Sequence, residues 1–253
     1  MSDPLLSAVL LFLVGLVAGV VNAIAGGGSF LTLPMMIFLG LPPTVANGTN
    51  RLAILTNSIG ALRSFQKKGL VQGPWLRFAI PPALVGAGLG SWAAVVIGDV
   101  AFRRVLAGTM VAVAVWSIWH GRSTPGADGE KEIPAGWSRL FFLGGFFLVG
   151  AYGGFIQAGV GFLILGMTSA AGLDLIRGNA LKMALVLAFT PLALLVFSAG
   201  GKVDWIMAAW LACGNYLGGI AGVHLQVLKG QAWVRNFVTA MIVIFAVRLL
   251  WGG

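Results

Sequence analysis

VANGTNRLAILTNSIGAL, residues 45–62, places the cation Arg51 in an otherwise uncharged, largely apolar run. IRGNALKMALVLAFTPLAL, residues 176–194, places Lys182 in a largely apolar run in the second half of the chain, with Arg177 at its start. Asn and Gly precede each cation, and each run follows a Gly-bearing break in an apolar segment: AIAGGGSF at 23–30 and QAGVGF at 157–162. A cation at membrane depth is costly, so it either faces a cavity, where it has a function, or snorkels to the headgroups from its place near a segment start. Two of them at matched places in a duplicated chain point to one anion-holding site built from both halves.

Working outward, the composition sets the class. Of 253 residues, 58% are hydrophobic and only 9% charged, and mean hydropathy is +0.96. A soluble domain carries roughly a quarter charged residues, so this chain is expected to be an all-α, multi-pass membrane protein. The 38 glycines agree, since close helix packing in lipid uses small residues. The net charge of +9 does not signal nucleic acid. The basic residues stand singly or in pairs between apolar runs, as cytoplasmic-loop enrichment requires. Cys213 is the one cysteine, which excludes an intrachain disulfide and a cysteine metal cluster. No metal or cofactor is expected.

Ten apolar segments are read, five per half: 5–24, 29–41, 47–68, 74–97 and 100–119, then 138–157, 161–173, 178–200, 203–227 and 231–250. Asp3 and the absence of Lys or Arg before the first segment argue against a signal peptide there. The domains expected are a membrane repeat at 1–120, a polar linker at 121–137 (GRSTPGADGEKEIPAGW) on the cytoplasmic side, and a second repeat at 138–253. Gly19-Val20-Val21-Asn22-Ala23 aligns with Gly154-Phe155-Ile156-Gln157-Ala158, Phe30-Leu31-Thr32-Leu33 with Phe162-Leu163-Ile164-Leu165, and Arg51-Leu52-Ala53 with Lys182-Met183-Ala184. Residues 29–41 would span only about 20 Å as helix against a core of about 30 Å. The pairs 5–24/29–41 and 138–157/161–173 therefore read as broken helices at the midplane. The count of crossings is eight to ten.

With ten crossings, Arg63, Lys67, Lys68, Arg77, Arg122, Lys131, Arg139, Arg177, Lys229 and Arg235 fall inside, and Arg103, Arg104, Lys202 and Arg248 outside. Counting the hairpins as non-crossing gives nine to five, so the charge rule slightly favours inverted over parallel repeats.

The site reading follows from what a small oxyanion needs: donors in place of water and a positive potential. Helix N-termini supply both. Gly27 and Gly28 allow close backbone approach, and Ser29 opens a short helix. Asn47, Thr49 and Asn50 are expected to cap the next helix, and Arg51 adds a planar charged fork. Gln157, opposite Asn22, together with Gly161, Asn179 and Lys182, makes the second-half contribution. Gly214, Gly218 and Gly222 read as helix packing, and Trp75, Trp116, Trp119 and Trp233 as interfacial anchors. No Asp or Glu lies mid-segment, so there is no buried acid to couple protons or sodium. An exported monoanion needs none, because the potential contributes about 2.3 kcal/mol per 100 mV. No phosphate loop and no catalytic cluster is present, which argues against an ATPase or an intramembrane enzyme.

The run Asn22-Ala23-Ile24-Ala25-Gly26-Gly27-Gly28-Ser29, then Leu41-Pro42-Pro43, Ala46-Asn47-Gly48-Thr49 and Lys68-Gly69, resembles the TauE/SafE family of sulfite and organosulfonate exporters, also called the toluene sulfonate uptake permease group. The resemblance covers the whole chain; in the second half Asn179-Ala180 stands where the first has Gly48-Thr49. It implies a bacterial inner-membrane carrier of small organosulfur anions such as sulfoacetate or sulfite. The residues alone reach only a small oxyanion. An anion channel and an uptake permease stay open as alternatives, as does assembly as a homodimer in the lipid bilayer.

Overall fold

The computed structural model describes residues 4–71, 73–119 and 135–229, and every described element is a helix. These are α1 (Pro4–Ile24), α2 (Ser29–Phe38), α3 (Pro43–Gln66), α4 (Gly73–Val96), α5 (Asp99–Trp119), α6 (Gly136–Phe155), α7 (Val160–Ala170), α8 (Leu175–Ala199) and α9 (Trp205–Lys229). Five of them, α1, α4, α6, α8 and α9, are long and apolar enough to cross a bilayer. The all-helical membrane fold read from the sequence is therefore present. The expected tenth segment, 231–250, and most of the linker lie outside the described residues.

Helix ends are set by local chemistry. Pro43 opens α3 at its first position, where its missing N–H costs nothing and its φ already fits. This starts α3 earlier than expected, and Asn47, Thr49 and Asn50 lie within the helix rather than at its cap. The boundary acids serve as terminal acceptors instead. Asp174 caps α8, accepting from the backbone N–H groups of Ile176 and Arg177 at 2.9 Å each. Asp204 accepts from Met207 N–H at the start of α9. Asp99 accepts from both the N–H and the hydroxyl of Thr44, tying α5 to the start of α3.

Packing is close and largely glycine-mediated. Gly214, Gly218 and Gly222 of α9 sit in order on the backbone carbonyls of Phe12, Leu16 and Val20, so α1 and α9 run side by side in the same direction. Gly86 and Gly90 of α4 meet Phe147 and Ala151 of α6, while Gly150 and Gly154 meet Ala83 and Ala87, again in the same direction. Backbones that approach this closely gain van der Waals contact, the main attraction available to helices in lipid.

The remaining contacts follow a reciprocal scheme. α3 lies alongside α9 in the same sense (Thr49 by Asp204, Thr56 by Ala212, Gly60 by Tyr216). α8 lies alongside α4 (Leu192 by Gly88, Gly200 by Val95). α3 and α8 cross in opposite senses, with Gly48 against Phe197 at one end and Ala61 and Phe65 clustered with Ala180 and Met183 at the other. Trp75, expected at an interface, is instead buried edge-on against Phe78 and Phe142. Its neighbours on α4 and α6 make that end of the bundle a second apolar core.

Candidate substrate site at the two broken hairpins

Both short helices begin at a break inside the protein. α1 stops at Ile24, and Gly26 adopts φ +82°, donating its N–H back to the carbonyls of Val21 and Asn22. Only glycine takes this left-handed turn at no steric cost, which is the physical reason for a glycine there. α2 then starts at Ser29 with Gly28 as N-cap and no side chain capping it. In the second half Ile156 is extended, Gly159 takes φ +79° as N-cap, and α7 likewise has no side-chain cap. At 10 and 11 residues these helices are about 15 Å long, half the hydrocarbon core. The two breaks meet: a Cβ on either Gly26 or Gly161 would overlap the other's Cα.

The cations brace these breaks crosswise. Arg51, on α3, donates to the carbonyls of Gly153 and Gly154 at the end of α6 and to Oε1 of Gln157 (3.0 Å), with Phe197 5.0 Å beneath the guanidinium. Lys182, on α8, donates to the carbonyls of Asn22 (2.8 Å) and Ala23 (3.1 Å) at the end of α1 and to Oδ1 of Asn179. Each cation thus holds the broken helix of the other half. Three acceptors around the Lys182 nitrogen match the three donors of an ammonium. Arg51 and Lys182 are 0% and 1% exposed. The solvent-reachable hollow expected around them is not what surrounds them: both point at helix-end carbonyls. Helix C-termini carry partial negative charge, and that draws the cations there.

Amides and hydroxyls complete the lattice. Asn22 donates to Oδ1 of Asn57 (2.9 Å), and Asn57 donates to the carbonyls of Gly19 and Asn215, tying α1, α3 and α9 together. Gln157 donates to the Thr190 hydroxyl. Asn179 donates to the carbonyl of Ile24. Asn47 donates to the carbonyl of Phe155, and its Oδ1, like Nε of Arg51, has no partner. Asn50 donates to the Ser29 hydroxyl. Thr49 alone of the predicted set turns elsewhere, accepting from Asp204 N–H at the α8–α9 loop. Gly27 and Gly28 form the turn into α2.

Asn22, Gly27, Gly28, Ser29, Asn47, Asn50, Gln157, Gly161, Asn179 and the two cations are therefore gathered at the crossed hairpins. Sequence reading missed Thr32, Asn57, Thr190 and Phe197. The signal available for the first three was a polar residue within an apolar helical run. An apolar cavity of about 880 Å³ lies to one side, between α5, α6 and α7, reaching Tyr152 and Gly159. Its walls include the exposed Phe141, Leu148 and Leu163, and neither cation lines it.

Comparison with known proteins places the chain among membrane transporters. The family model described as Sulfite exporter TauE/SafE matches residues 11–249. A Sinorhizobium protein named "Probable membrane transporter protein ORF9" is 28% identical, over 95% of this chain and 91% of its own length. The Escherichia coli K12 protein "Probable membrane transporter protein YfcA" is 28% identical over 99% of this chain and 92% of its own. A Haemophilus influenzae "Probable membrane transporter protein" is 26% identical over 96% and 94%. No solved structure matches. With bacterial relatives, five bilayer-length apolar helices and a family match over nearly its whole length, this chain is a multi-pass inner-membrane transporter, not an enzyme, and belongs to the TauE/SafE family.

Proposed function

We propose that the chain is a secondary transporter that exports a small organosulfur oxyanion, such as sulfoacetate or sulfite, under the membrane potential. One observation carries this reading. Arg51 and Lys182 are fully buried, and among the described residues neither has a carboxylate within ion-pair distance. Helix-end carbonyls and the side-chain oxygens of Gln157 and Asn179 accept from them, with Nε of Arg51 left over, but a helix end cancels only about half a charge. A buried uncompensated cation costs several kcal/mol, and a diffusible anion supplies the missing compensation.

The crosswise bracing also shapes the field. In a broken hairpin the negative end of the first helix and the positive end of the second lie near each other and largely cancel. Lys182 neutralises the end of α1, and Arg51 the end of α6. The uncapped N-termini of α2 and α7 are then left as the dominant local dipoles, and both favour an anion.

The reciprocal helix pairs support an inverted two-fold relation between repeats 1–120 and 138–253, joined by the linker 121–137. α1 pairs with α9 as α6 does with α4, and α3 and α8 run in opposite senses. Inverted repeats with broken helices at the midplane suit alternating access. A rocking of one repeat against the other would open the contact between Gly26 and Gly161 to either side in turn.

Proteoliposomes loaded with labelled sulfoacetate or sulfite test this. The expected result is efflux that rises with an inside-negative potential and with unlabelled anion on the far side. Large unitary currents without such exchange would make the protein a channel, and potential-opposed accumulation would make it an uptake permease.

A further inference from the structure

We propose that the Ser29 hydroxyl reads the substrate as an oxyanion, and that Asn50 and Thr32 are positioning residues that aim its proton. This rests on the transport reading above and assigns its selectivity to one hairpin tip.

The hydrogen-bond directions are set by chemistry. The Thr32 hydroxyl donates to Oδ1 of Asn50 at 2.7 Å, a far better bond than its 3.5 Å alternative to the carbonyl of Ser29. An amide whose oxygen faces Thr32 turns its NH2 to the other side, and there Nδ2 donates to Oγ of Ser29 at 2.9 Å. Ser29 therefore receives a hydrogen bond from Asn50, and its own proton points away from that amide. Among the described residues no acceptor takes that proton, although Ser29 is 1% exposed. A buried donor without an acceptor is costly, so this one is built for a partner that comes and goes. Ser29 is also the first residue of α2; the N–H groups of Phe30, Leu31 and Thr32 turn back to the carbonyls of Gly27 and Gly28, and the Ser29 N–H has no partner among the described residues. The hydroxyl and the N–H of Ser29 thus serve the same helix end.

The second tip has no such device. α7 opens Gly159-Val160-Gly161, with no hydroxyl, and the nearby Gln157 is bonded to Arg51 and Thr190. Selectivity therefore resides in the first tip. A sulfonate or sulfite offers several acceptor oxygens and can take the hydroxyl and the N–H of Ser29 together. Chloride, a sphere with no directional lone pairs fixed in a plane, gains less from an aimed proton. The Thr32–Asn50–Ser29 chain is a device for preferring oxyanions over halides.

The test is flux of labelled sulfoacetate in proteoliposomes, with chloride as competitor, for Ser29→Ala, Ser29→Thr, Asn50→Asp, Thr32→Val and Thr32→Ser. Ser29→Ala and Thr32→Val are expected to raise KM about tenfold or more, the effect of losing one donor to a charged acceptor. Vmax and the chloride inhibition constant should hold, so the oxyanion-to-chloride preference falls. Asn50→Asp reverses the chain, because a carboxylate takes the Ser29 proton and repels the anion; transport should be lost. Ser29→Thr and Thr32→Ser keep each hydroxyl and should retain the preference. An unchanged preference in Ser29→Ala or Thr32→Val would overturn the assignment while leaving transport standing. Wild-type vesicles that move no oxyanion would overturn both.

Discussion

Replacing Lys182 by methionine separates what its bonds do from what its charge does. The side chain keeps nearly the same length and loses three donors and one unit of charge. Three acceptors lose their donor: the carbonyls of Asn22 and Ala23, and Oδ1 of Asn179. Leaving a buried acceptor unsatisfied costs about 1–3 kcal/mol each. One of the three keeps a donor, since the Asn22 carbonyl also accepts from Gly26 N–H. Against this loss stands the recovered cost of burying an ammonium, several kcal/mol. The two terms nearly offset, so folded stability should change by no more than about 2 kcal/mol in either direction. Transport should not be so forgiving. At an effective dielectric near 20, a unit charge acting over about 8 Å contributes about 2 kcal/mol, or roughly thirtyfold in affinity. Thermal melting in detergent reads the first quantity, and the KM for sulfoacetate in proteoliposomes the second. The expected pattern is a melting point within a few degrees of wild type and a KM raised on the order of thirtyfold, with Lys182→Arg between the two. A Lys182→Met protein that melts normally and transports with the wild-type KM would refute the field argument outright.

Two further outcomes follow from packing and charge. Gly161→Ala must push the hairpin tips apart, because the new Cβ overlaps the Gly26 Cα; a loss of about 1–3 kcal/mol or more and a collapse of flux are expected. Gly166→Ala on the same helix meets open space and should be neutral or slightly stabilising, which a pair of melting curves would check. Burial raises the Asp99 pKa, but the two hydrogen bonds from Thr44 and the nearby Lys202 outweigh it and hold the carboxyl below its ordinary value. A depressed folded-state pKa contributes stability above the unfolded value of about 3.9, and that contribution vanishes as pH falls through the folded value. Below about pH 4 wild type should therefore lose melting temperature faster than Asp99→Asn; parallel acid limbs would contradict the assigned role.

Much of the scaffold was legible because lipid punishes irregularity. AIAGGGSF and QAGVGF could only be breaks at places that are buried, and the apolar runs around them had the lengths that the helices take. The start of α3 was misread because Asn47, Thr49 and Asn50 look like caps, whereas Pro43 was the stronger signal. The partners of the cations were not legible at all. Arg51 bonds residues about a hundred positions away, and nothing in local sequence distinguishes a cation that faces a cavity from one that faces a helix end. Trp75 failed for a similar reason: an aromatic near a segment start reads as an interfacial anchor until Phe78 and Phe142 are seen to enclose it.

The crossing of the two braces has a mechanical consequence. Had each cation capped the helix of its own half, the two repeats could separate without breaking a charged bond. Instead Arg51 ties the first half's α3 to the second half's α6, and Lys182 ties the second half's α8 to the first half's α1. Any rocking of one half against the other strains both ties at once, while the glycine contact between the tips offers little to resist it. An anion entering between the tips draws on the same two positive charges that the carbonyls now hold. On the proposed transport cycle it would weaken both ties together, and only the occupied protein would move easily. An empty carrier that moves slowly and a loaded one that moves fast is the kinetic signature of an exchanger. In the proposed cycle that signature would arise from which half each cation reaches across to.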